Sequence, residues 1–480
     1  MRKKECLNIF VGRFYAIVKR SVSTITLPSR TGQLIEPTDV LVVGGGPAGL
    51  GAAIGAANAG AKVILAEQYG FLGGHATAAL LLTFASYYAS STFIKEQREF
   101  ELFPTDHGVG PSIVGGVLER LIERLVKAGG AIPPSSETGY VVPFDPKIFK
   151  LVILDMVNEA GAELLFHALA SGVINHEGLR GVVFETKSGP IVIKAKNIID
   201  CTGDGDVAAF AGASYEVGRE EDGYTQPMTL LFVMEGFQKK LFQKYVEQHP
   251  DEWSGVQGLR TLMEEARKRR ELDIPRGDIL FFGTMHEDKV NVNSVRITRV
   301  SGIDVLDLTY AEVEGRRQIK QIANFLRKYV PGFEKAYVAQ SGTTVGVRET
   351  RRIIGEYKLT SEDIVEARKF EGAIAHSAYP IDIHNPTGKG STFKRLTPRE
   401  WYDIPLRCLI PLEIENLLVA GRCISGTNEA SASYRVMATC MATGQAAGVW
   451  AALASRSDQT PRNVAYLEVK KELIRQGSVS

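Results

Sequence analysis

The sequence predicts an α/β fold, in which a parallel sheet with helices on its faces is interrupted by an inserted α+β domain. Three observations lead to this prediction. A glycine-rich turn follows an apolar strand pattern at residues 39–43, and two more buried-strand patterns lie at residues 197–200 and 417–420. Between the last two, residues 226–403 alternate strand-like pieces with charged helices. Because the buried strands are far apart in sequence, a domain interrupted by an insertion explains their order.

These observations divide the chain into four expected segments. Residues 1–37 form a basic leader that begins MRKKE. Residues 38–225 and 404–480 are the two parts of a nucleotide-binding domain, and residues 226–403 are the inserted substrate domain. Arg13 interrupts the apolar part of the leader and no small-residue cleavage site follows, so a signal peptide is disfavoured.

The composition excludes some classes of function. Lys plus Arg total 56 and Asp plus Glu total 55, so the net charge is +1 and no nucleic-acid partner is indicated. The five cysteines contain no C-x-x-C pair, so iron–sulfur and zinc motifs are absent and we expect no metal site. Sparse, unpaired cysteines are typical of a reducing compartment. We therefore expect a cytoplasmic protein, and a homo-oligomer is compatible with the sequence.

Two charge-free runs raise the alternative of a membrane span. Residues 40–61 contain seven glycines and a proline, which would break a spanning helix, whereas a strand–turn–helix explains each glycine. Residues 436–454 are rich in alanine, have modest apolarity and contain Gln445. We therefore predict that the second run is a buried helix against the sheet, and that there is no transmembrane segment.

The turn after the first strand has the spacing of a dinucleotide-binding loop. Gly44, Gly46 and Gly49 form G-x-G-x-x-G, which allows a tight turn, close approach to a pyrophosphate, and close packing of helix on strand. The following helix presents free N–H groups and its positive dipole end to phosphates. Residues 61–66 form a second strand pattern that ends in Glu67, 67 − 49 = 18 residues after the last glycine. A carboxylate there is expected to bind a ribose hydroxyl and disfavours NADP.

Longer motifs follow along the chain in a consistent order. They include VVGGGPAGLGAA, AEQYGFLGGHAT, IIDCTGDGDVAAFAGA, QPMTLLF, GVRETRRIIGEY, YPIDIHNP and NLLVAGRCISGTNEASASYRVMATC. With these motifs the chain resembles the bacterial FAD-dependent oxidoreductase family of the glutathione-reductase-like Rossmann superfamily. That family is related to fumarate-reductase-type flavoproteins and to the flavoprotein subunit of heterodisulfide reductase. The resemblance covers residues 40–448, nearly the whole chain after the leader.

The resemblance implies a resident FAD and assigns one loop to it. Gly73 and Gly74 resemble the loop that passes the pyrophosphate and the flavin, and His75 and Thr77 lie in the same loop. Histidyl–flavin bonds exist in fumarate-reductase-like relatives, but non-covalent FAD is favoured for this chain. No convincing second nucleotide fingerprint is present, so no separate NAD(P)H domain is expected.

Two further motifs are assigned to FAD by the same resemblance. Gly203 and Asp204 resemble the strand-end motif that closes over the cofactor, and Gly421 resembles the motif where the chain meets the ribityl group. Wider relatives place aspartate directly after that glycine, whereas this chain has Arg422. A helix that begins near Glu429 is expected to direct its N-terminus at the pyrimidine edge of the flavin.

Five residues are candidates for substrate chemistry, at a site between the flavin and the inserted domain. Arg348 and Arg351 in GVRETRR are spaced to share one helix face, and arginine forks bind carboxylates bidentately. Arg435 lies in the apolar C-terminal segment, where a buried guanidinium needs an acceptor. Asp382 and His384 lie between two prolines in a rigid loop that offers a proton relay near neutral pH. A salt-bridged structural helix and an Asp-stabilised turn remain the structural alternatives.

The expected function is that of a FAD-dependent oxidoreductase. It would be a dehydrogenase or reductase that transfers a hydride between FAD and a small oxygenated or carboxylated substrate, with an unknown second electron donor or acceptor. Two alternatives stay open. One is a flavin-bearing electron-transfer subunit docked on an iron–sulfur partner, and the other is a non-redox flavoprotein such as an isomerase or hydratase.

Overall fold

The computed structural model describes residues 24–26, 29–86, 88–89, 102–103, 111–175, 178–386, 390–397 and 400–478. Most of the expected leader therefore lies outside the described residues, but residues 33–37 belong to the first strand. The strands are β1 (Gln33–Val43), β2 (Val63–Ala66), β3 (Thr83–Phe84), β4 (Val142–Pro143), β5 (Glu163–Leu165), β6 (Leu169–Asn175), β7 (Leu179–Thr186), β8 (Gly189–Asp200), β9 (Tyr215–Val217), β10 (Phe232–Glu235), β11 (Trp253–Ser254), β12 (Gln257–Gly258), β13 (Ile279–Gly283), β14 (Lys289–Val292), β15 (Tyr337–Ser341), β16 (Arg351–Ile353), β17 (Ala373–Ser377), β18 (Ile381–His384), β19 (Ser391–Lys394), β20 (Tyr402–Pro405) and β21 (Leu417–Val419). The α-helices are α1 (Pro47–Asn58), α2 (Val117–Lys127), α3 (Pro146–Ala160), α4 (Asp206–Phe210), α5 (Lys239–Gln248), α6 (Arg260–Lys268), α7 (Val305–Tyr329), α8 (Ser361–Val365), α9 (Asn428–Tyr434), α10 (Met437–Ser457) and α11 (Tyr466–Arg475).

The first sheet has seven strands and a parallel centre. Its order is β5-β2-β1-β8-β7-β6, and β21 pairs with the carboxyl end of β8. In the parallel part, Val40 pairs with Val63 and Val43 pairs with Asp200, so strands that are distant in sequence lie side by side. β6 and β7 extend the sheet in antiparallel fashion. The predicted α/β fold with a parallel sheet is confirmed.

Helices α1 and α10 pack against each other so closely that a side chain would not fit at Gly51, Gly444 or Gly448. A Cβ on Gly51 would lie 2.2 Å from a backbone oxygen of α10. A Cβ on Gly444 or Gly448 would lie 1.9 or 2.1 Å from a backbone oxygen on the α1 side. The buried helix predicted for residues 436–454 is thus confirmed, and Gln445 is buried within it.

The second sheet is antiparallel and has the order β11-β12-β13-β14-β10-β15. Its core contains an aromatic cluster of Phe237, Phe242, Phe281 and Phe333, whose ring centroids are 4.7 to 6.1 Å apart. Apolar residues of α7, such as Ile322, pack into the same core. This sheet and α7 form a unit with a hydrophobic centre of its own.

The two cores divide the chain earlier than the expected boundary at residue 403. Apart from Leu102, the buried residues of the second core lie between 228 and 345. Residues after this point, such as Ile353 and Tyr402, are buried in the first core. The reason is that β16 pairs with β9 of the first domain, which brings the chain back before it reaches β17. We therefore propose that residues 228–347 form the inserted unit.

The C-terminal segment forms two helices that meet at a sharp bend. The helix expected near Glu429 is present, since α9 begins at Asn428. It ends at Tyr434, and Arg435 lies at the junction with α10. The expectation that Arg435 lies inside one continuous apolar helix is therefore wrong. Among the described residues, no single helix is long and apolar enough to cross a membrane, and α9 with α10 meets that test only as a pair bent by 93°.

Candidate active site

The predicted dinucleotide turn forms a cradle of glycines at the N-terminus of α1. Gly44 has a φ of +101°, and a Cβ there would lie 2.5 Å from the Cys201 carbonyl oxygen. A Cβ on Gly49 would lie 1.7 Å from the Gly44 oxygen. In front of the helix, a Cβ on Gly74 would lie 2.8 Å from the Cα of Gly46. Because α1 has no side-chain cap, its first N–H groups can bind phosphate oxygens.

Glu67 lies at the end of β2 and its carboxylate touches the glycine cradle. One oxygen accepts from the backbone N–H of Gly45 at 2.6 Å, and the other accepts from that of Tyr69 at 2.8 Å. Burial raises the pKa of Glu67, although these N–H groups oppose the shift. The carboxylate is therefore held at the strand end, as a ribose-binding acid requires, and the ribose contact itself stays a prediction.

The loop after β2 is shaped by Gly73 and Thr77. Gly73 has a φ of +114°, and a Cβ there would lie 2.6 Å from the Thr77 side chain. Thr77 is buried, and its hydroxyl donates to the Leu72 carbonyl at 2.8 Å. Thr77 therefore closes the turn that carries Gly74 to the cradle, and a direct contact between Thr77 and FAD stays a prediction.

Arg422, the residue directly after Gly421, forms an ion pair with Asp204, the acid of the predicted strand-end motif. Its Nη2 lies 2.5 Å from Oδ1 of Asp204, and its Nε donates to the Gly203 carbonyl at 2.9 Å. The hydroxyl of Thr350 also donates to Asp204 Oδ1, at 2.8 Å. The ion pair therefore holds Asp204 near Gly421, the neighbour of Arg422. Gly421 has a φ of +82°, which favours glycine.

The prediction of a helix for the GVRETRR segment is wrong, because the segment is extended and ends in β16. Arg351 does not meet Arg348. Its guanidinium instead donates to Asp206 at 2.8 Å and to the Asp204 carbonyl at 3.0 Å. Burial, with repulsion from neighbouring carboxylates, raises the pKa of Asp206 to about 6. Arg351 therefore has the structural, salt-bridged role that was the alternative to substrate binding.

Glu349, in the middle of the same segment, joins three parts of the molecule. The residue is buried, and its Oε2 accepts from the backbone N–H of Gln226 at 3.0 Å. Its Oε1 accepts from Asn428 Nδ2 at 2.7 Å and from the guanidinium of Arg352. Arg352 also donates to two carbonyl groups, at 3.0 and 3.1 Å. This carboxylate therefore ties the start of the inserted unit to β16 and α9.

Four of the predicted catalytic residues lie close together: Arg348, Asp382, His384 and Arg435. Arg348 Nη1 donates to the carbonyl oxygen of Pro227 at 2.5 Å. Arg435 Nη2 lies 3.4 Å from Oε1 of Gln226 and 3.3 Å from the carbonyl oxygen of Asp382. Burial, followed by repulsion from Arg435, lowers the pKa of Arg348 to about 9. We call this group the cationic pocket; its members are Gln226, Arg348, Asp382, His384 and Arg435.

Within the cationic pocket, Asp382 and His384 form a hydrogen-bonded pair. Nε2 of His384 lies 3.4 Å from Asp382 Oδ2, and Nδ1 lies 3.4 Å from Arg296 Nη2 and 3.2 Å from Ser391 Oγ. Because a guanidinium only donates, Nδ1 accepts, and the neutral ring carries its proton on Nε2. Burial lowers the pKa of His384 to about 4, although Asp382 opposes the shift. The expectation that this histidine titrates near neutral pH is therefore wrong. The pKa of Asp382 lies well below its usual range, because His384 and the arginines outweigh its burial.

His75 connects the glycine cradle to the cationic pocket. Its imidazole is surrounded by protein although the residue is not fully closed to solvent. Burial lowers its pKa to about 3, and repulsion from three guanidiniums adds to this shift. These guanidiniums belong to Arg422, Arg435 and Arg348. His75, which directly follows Gly74 of the cradle, is therefore within electrostatic reach of both Arg422 and the arginines of the cationic pocket.

Three residues of this site were not expected from the sequence: Gln226, Glu349 and Arg296. Gln226 opens the QPMTLLF motif, and Glu349 stands between arginines in GVRETRR, where it looks like an ordinary salt-bridge partner. The available signal was weak: Gln226 precedes an apolar run, whereas Glu349 is flanked by Arg348 and Thr350. Their roles depend on contacts between segments that are distant in sequence.

Comparison with known proteins identifies the family of the chain. The model of a protein family described as FAD dependent oxidoreductase matches residues 39–473 of the chain. No curated protein sequence matches the chain.

The solved structures to which the chain is similar are distant in sequence. A geranylgeranyl bacteriochlorophyll reductase-like protein from Thermoplasma acidophilum is 15% identical with a TM-score of 0.44, over 93% of this chain and 84% of that one. The p-nitrophenol 4-monooxygenase PnpA from Pseudomonas putida DLL-E4 is 11% identical with a TM-score of 0.43, over 92% and 84%. The flavin-dependent brominase Bmp2 is 12% identical with a TM-score of 0.44, over 92% and 84%. At this distance, only the residues of the chain itself bear on its substrate.

Proposed function

Because the chain belongs to the family of FAD-dependent oxidoreductases, we propose that it transfers a hydride between FAD and a small organic substrate that carries an oxyanion, most simply a carboxylate. One observation carries this proposal. Arg435 Nη2 lies 3.3 Å from the carbonyl oxygen of Asp382, and the guanidiniums of Arg435 and Arg348 both act on the ionised carboxylate of Asp382. His75 links this group to the glycine cradle.

The residues of the cradle fit the nucleotide part of FAD. Gly46 and Gly74 place no side chain in front of the uncapped N-terminus of α1, where a pyrophosphate would bind, and Glu67 would supply a carboxylate for the adenosine ribose. The pairing of Arg422 with Asp204 keeps an acidic group near Gly421, so we expect Asp204 to take the ribityl contact. When bound, FAD supplies a two-electron acceptor or donor for the hydride.

The charge of the cationic pocket favours an anionic substrate. Arg348, Arg435 and the adjacent Arg296 contribute three positive charges and Asp382 contributes one negative charge, while His384 is neutral at pH 7. A substrate carboxylate would neutralise part of the remaining charge, and its two oxygens match the forked donors of arginine. Binding of this kind also fixes the position of the reacting carbon.

We propose that Asp382 accepts the hydroxyl proton of the substrate and that His384 holds the Asp382 side chain in position. Both nitrogens of His384 are engaged by protein groups, whereas the Asp382 side chain is the more exposed of the two. Arg348 and Arg435 hold the pKa of Asp382 down. A substrate anion that neutralises these arginines therefore makes Asp382 more basic, at the time when it must accept a hydroxyl proton.

The experiment that tests this proposal is an anaerobic titration of the purified protein with sugars, hydroxy acids and unsaturated acids. We expect loss of the visible flavin absorbance with a hydroxy acid, or its return from the reduced protein with an unsaturated acid. Bleaching by neutral sugars alone would contradict the anionic substrate. Turnover that needs pre-reduced flavin but no net electrons would instead support the non-redox alternative, and a need for a cysteine-rich partner would support the electron-transfer alternative.

A further inference from the structure

Two buried donors in the cationic pocket have no hydrogen-bond partner among the residues that the structure describes. They are Nε2 of Gln226 and Nε of Arg435. The two side chains touch, since Arg435 Nη2 lies 3.4 Å from Gln226 Oε1. Gln226 is only 3% exposed, so bulk water does not satisfy its amide. Buried polar groups are normally hydrogen-bonded, so two neighbouring exceptions point to a ligand.

The orientation of the Gln226 amide follows from its neighbour. A guanidinium only donates, so the group that faces Arg435 Nη2 must be the amide oxygen. This leaves the NH₂ group of Gln226 on the side without a protein acceptor. The assignment of oxygen and nitrogen in this amide is therefore fixed by hydrogen bonding.

The main chain at Gln226 is held on both sides, so the amide is positioned firmly. Its backbone N–H donates to the buried carboxylate of Glu349 at 3.0 Å. The carbonyl oxygen of the next residue, Pro227, accepts from Arg348 Nη1 at 2.5 Å. Gln226 and Pro227 are thus bound to the two arginines of the cationic pocket, Gln226 through its side-chain oxygen to Arg435 and Pro227 through its carbonyl oxygen to Arg348.

From these contacts we propose that Gln226 determines substrate specificity. Its amide N–H and the Nε–H of Arg435 each bind one oxygen of the same planar carboxylate. The inference rests on the proposed function and adds a specificity residue to it. Arg435 supplies the charge, and the neutral amide of Gln226 supplies a second donor without a further positive charge. A neutral analogue, such as a primary amide or an ester, offers no second anionic oxygen and leaves one donor unpaired.

The test uses the FAD-loaded protein and Gln226→Met, which keeps the length of the side chain but removes both N–H donors. Oxalate, malonate, sulfate and inorganic phosphate are titrated at constant ionic strength, and binding is followed by the change in flavin absorbance and by calorimetry. We expect the dicarboxylates to bind the wild type more tightly than the tetrahedral anions. We expect Gln226→Met to weaken the binding of the dicarboxylates by about tenfold or more.

Two further variants protect the test against a general loss of structure. Gln340→Met makes the same change on the exposed strand β15, and it should bind oxalate as the wild type does. Gln226→Glu preserves the shape of the side chain and replaces its donors by an acceptor, so it should bind oxalate more weakly than Gln226→Met. Melting temperatures show whether each variant is folded.

Several outcomes would overturn the inference. Unchanged affinity for dicarboxylates in folded Gln226→Met or Gln226→Glu would show that the amide is not used. Equal binding of phosphate and oxalate would refute a planar carboxylate site, and so would the absence of any anion binding to the wild type. A shifted flavin spectrum or lost FAD in Gln226→Met, with anion affinity retained, would assign the amide to the flavin. A protein without FAD would instead contradict the proposed function.

Discussion

Replacing Glu349 by glutamine tests whether this buried carboxylate holds the cationic pocket in place. Three donors converge on its two oxygens, from Gln226, Asn428 and Arg352. In Glu349→Gln one carboxylate oxygen is replaced by an NH₂ group. Because this NH₂ group cannot accept a hydrogen bond, at least one of the three donors loses its partner. Arg352, which is 4% exposed, would then keep only Glu216 as a carboxylate neighbour, at 3.5 Å.

The expected loss of stability is about 3 kcal/mol. Removing one member of a buried ion pair costs roughly 3–5 kcal/mol, and the retained amide oxygen places this variant at the low end. Such a loss is a large fraction of the roughly 5–15 kcal/mol of stability of a protein domain. It should lower the urea midpoint of unfolding, measured by tryptophan fluorescence, and it should weaken oxalate binding through the displaced Gln226 backbone.

A surface carboxylate provides the matched control for this experiment. Glu468 pairs with Lys471 at 2.8 Å, and both side chains are more than half exposed. Such pairs contribute about 0–1 kcal/mol, so Glu468→Gln should leave the midpoint nearly unchanged. If Glu349→Gln unfolds and binds oxalate as the control does, the buried carboxylate does not organise the pocket.

Three more substitutions have defined outcomes. Arg435→Lys keeps the charge but loses the fork, so with FAD still bound the rate of substrate-driven flavin reduction should fall about tenfold or more, and an unchanged rate would reject its role. Glu67→Ala should lower the FAD content of the purified protein, measured by acid release, more than it alters the chemistry of the loaded fraction. As the pH falls from 6.5 to about 4, unfolded chains protonate residue 384 while the folded protein does not, so stability should fall by up to about 3 kcal/mol. His384→Gln should remove that part of the pH dependence in urea denaturation, and an identical pH slope would contradict the lowered pKa.

The sequence predicts the nucleotide-binding part of the fold because its local rules are strict. Gly44 and Gly49 are required by contacts of their own backbone, and the spacing to Glu67 follows from one strand–helix–strand unit. The buried helix α10 is likewise visible in its composition, because its glycines meet the backbone of α1. These features depend on short stretches of chain, and they are confirmed.

The substrate site is predicted less completely because it depends on contacts between distant segments. Arg348 and Arg351 have helical spacing, yet the segment is extended, and Arg351 pairs with Asp206 instead. No glycine or proline marks the bend after Tyr434 that sets Arg435 at a helix junction. The donors of Gln226 become visible only when the chain around it is folded.

The most direct test of the account is anaerobic flavin reduction in the wild type and in the double variant Arg348→Lys/Arg435→Lys, with the carboxylated substrate identified by titration. We expect both proteins to be yellow and to release FAD on acid treatment. We expect the substrate to bleach the wild-type flavin, and the double variant to need far higher substrate concentrations or not to be bleached. Equal bleaching of both proteins at the same substrate concentration would contradict an anionic substrate bound by these two arginines.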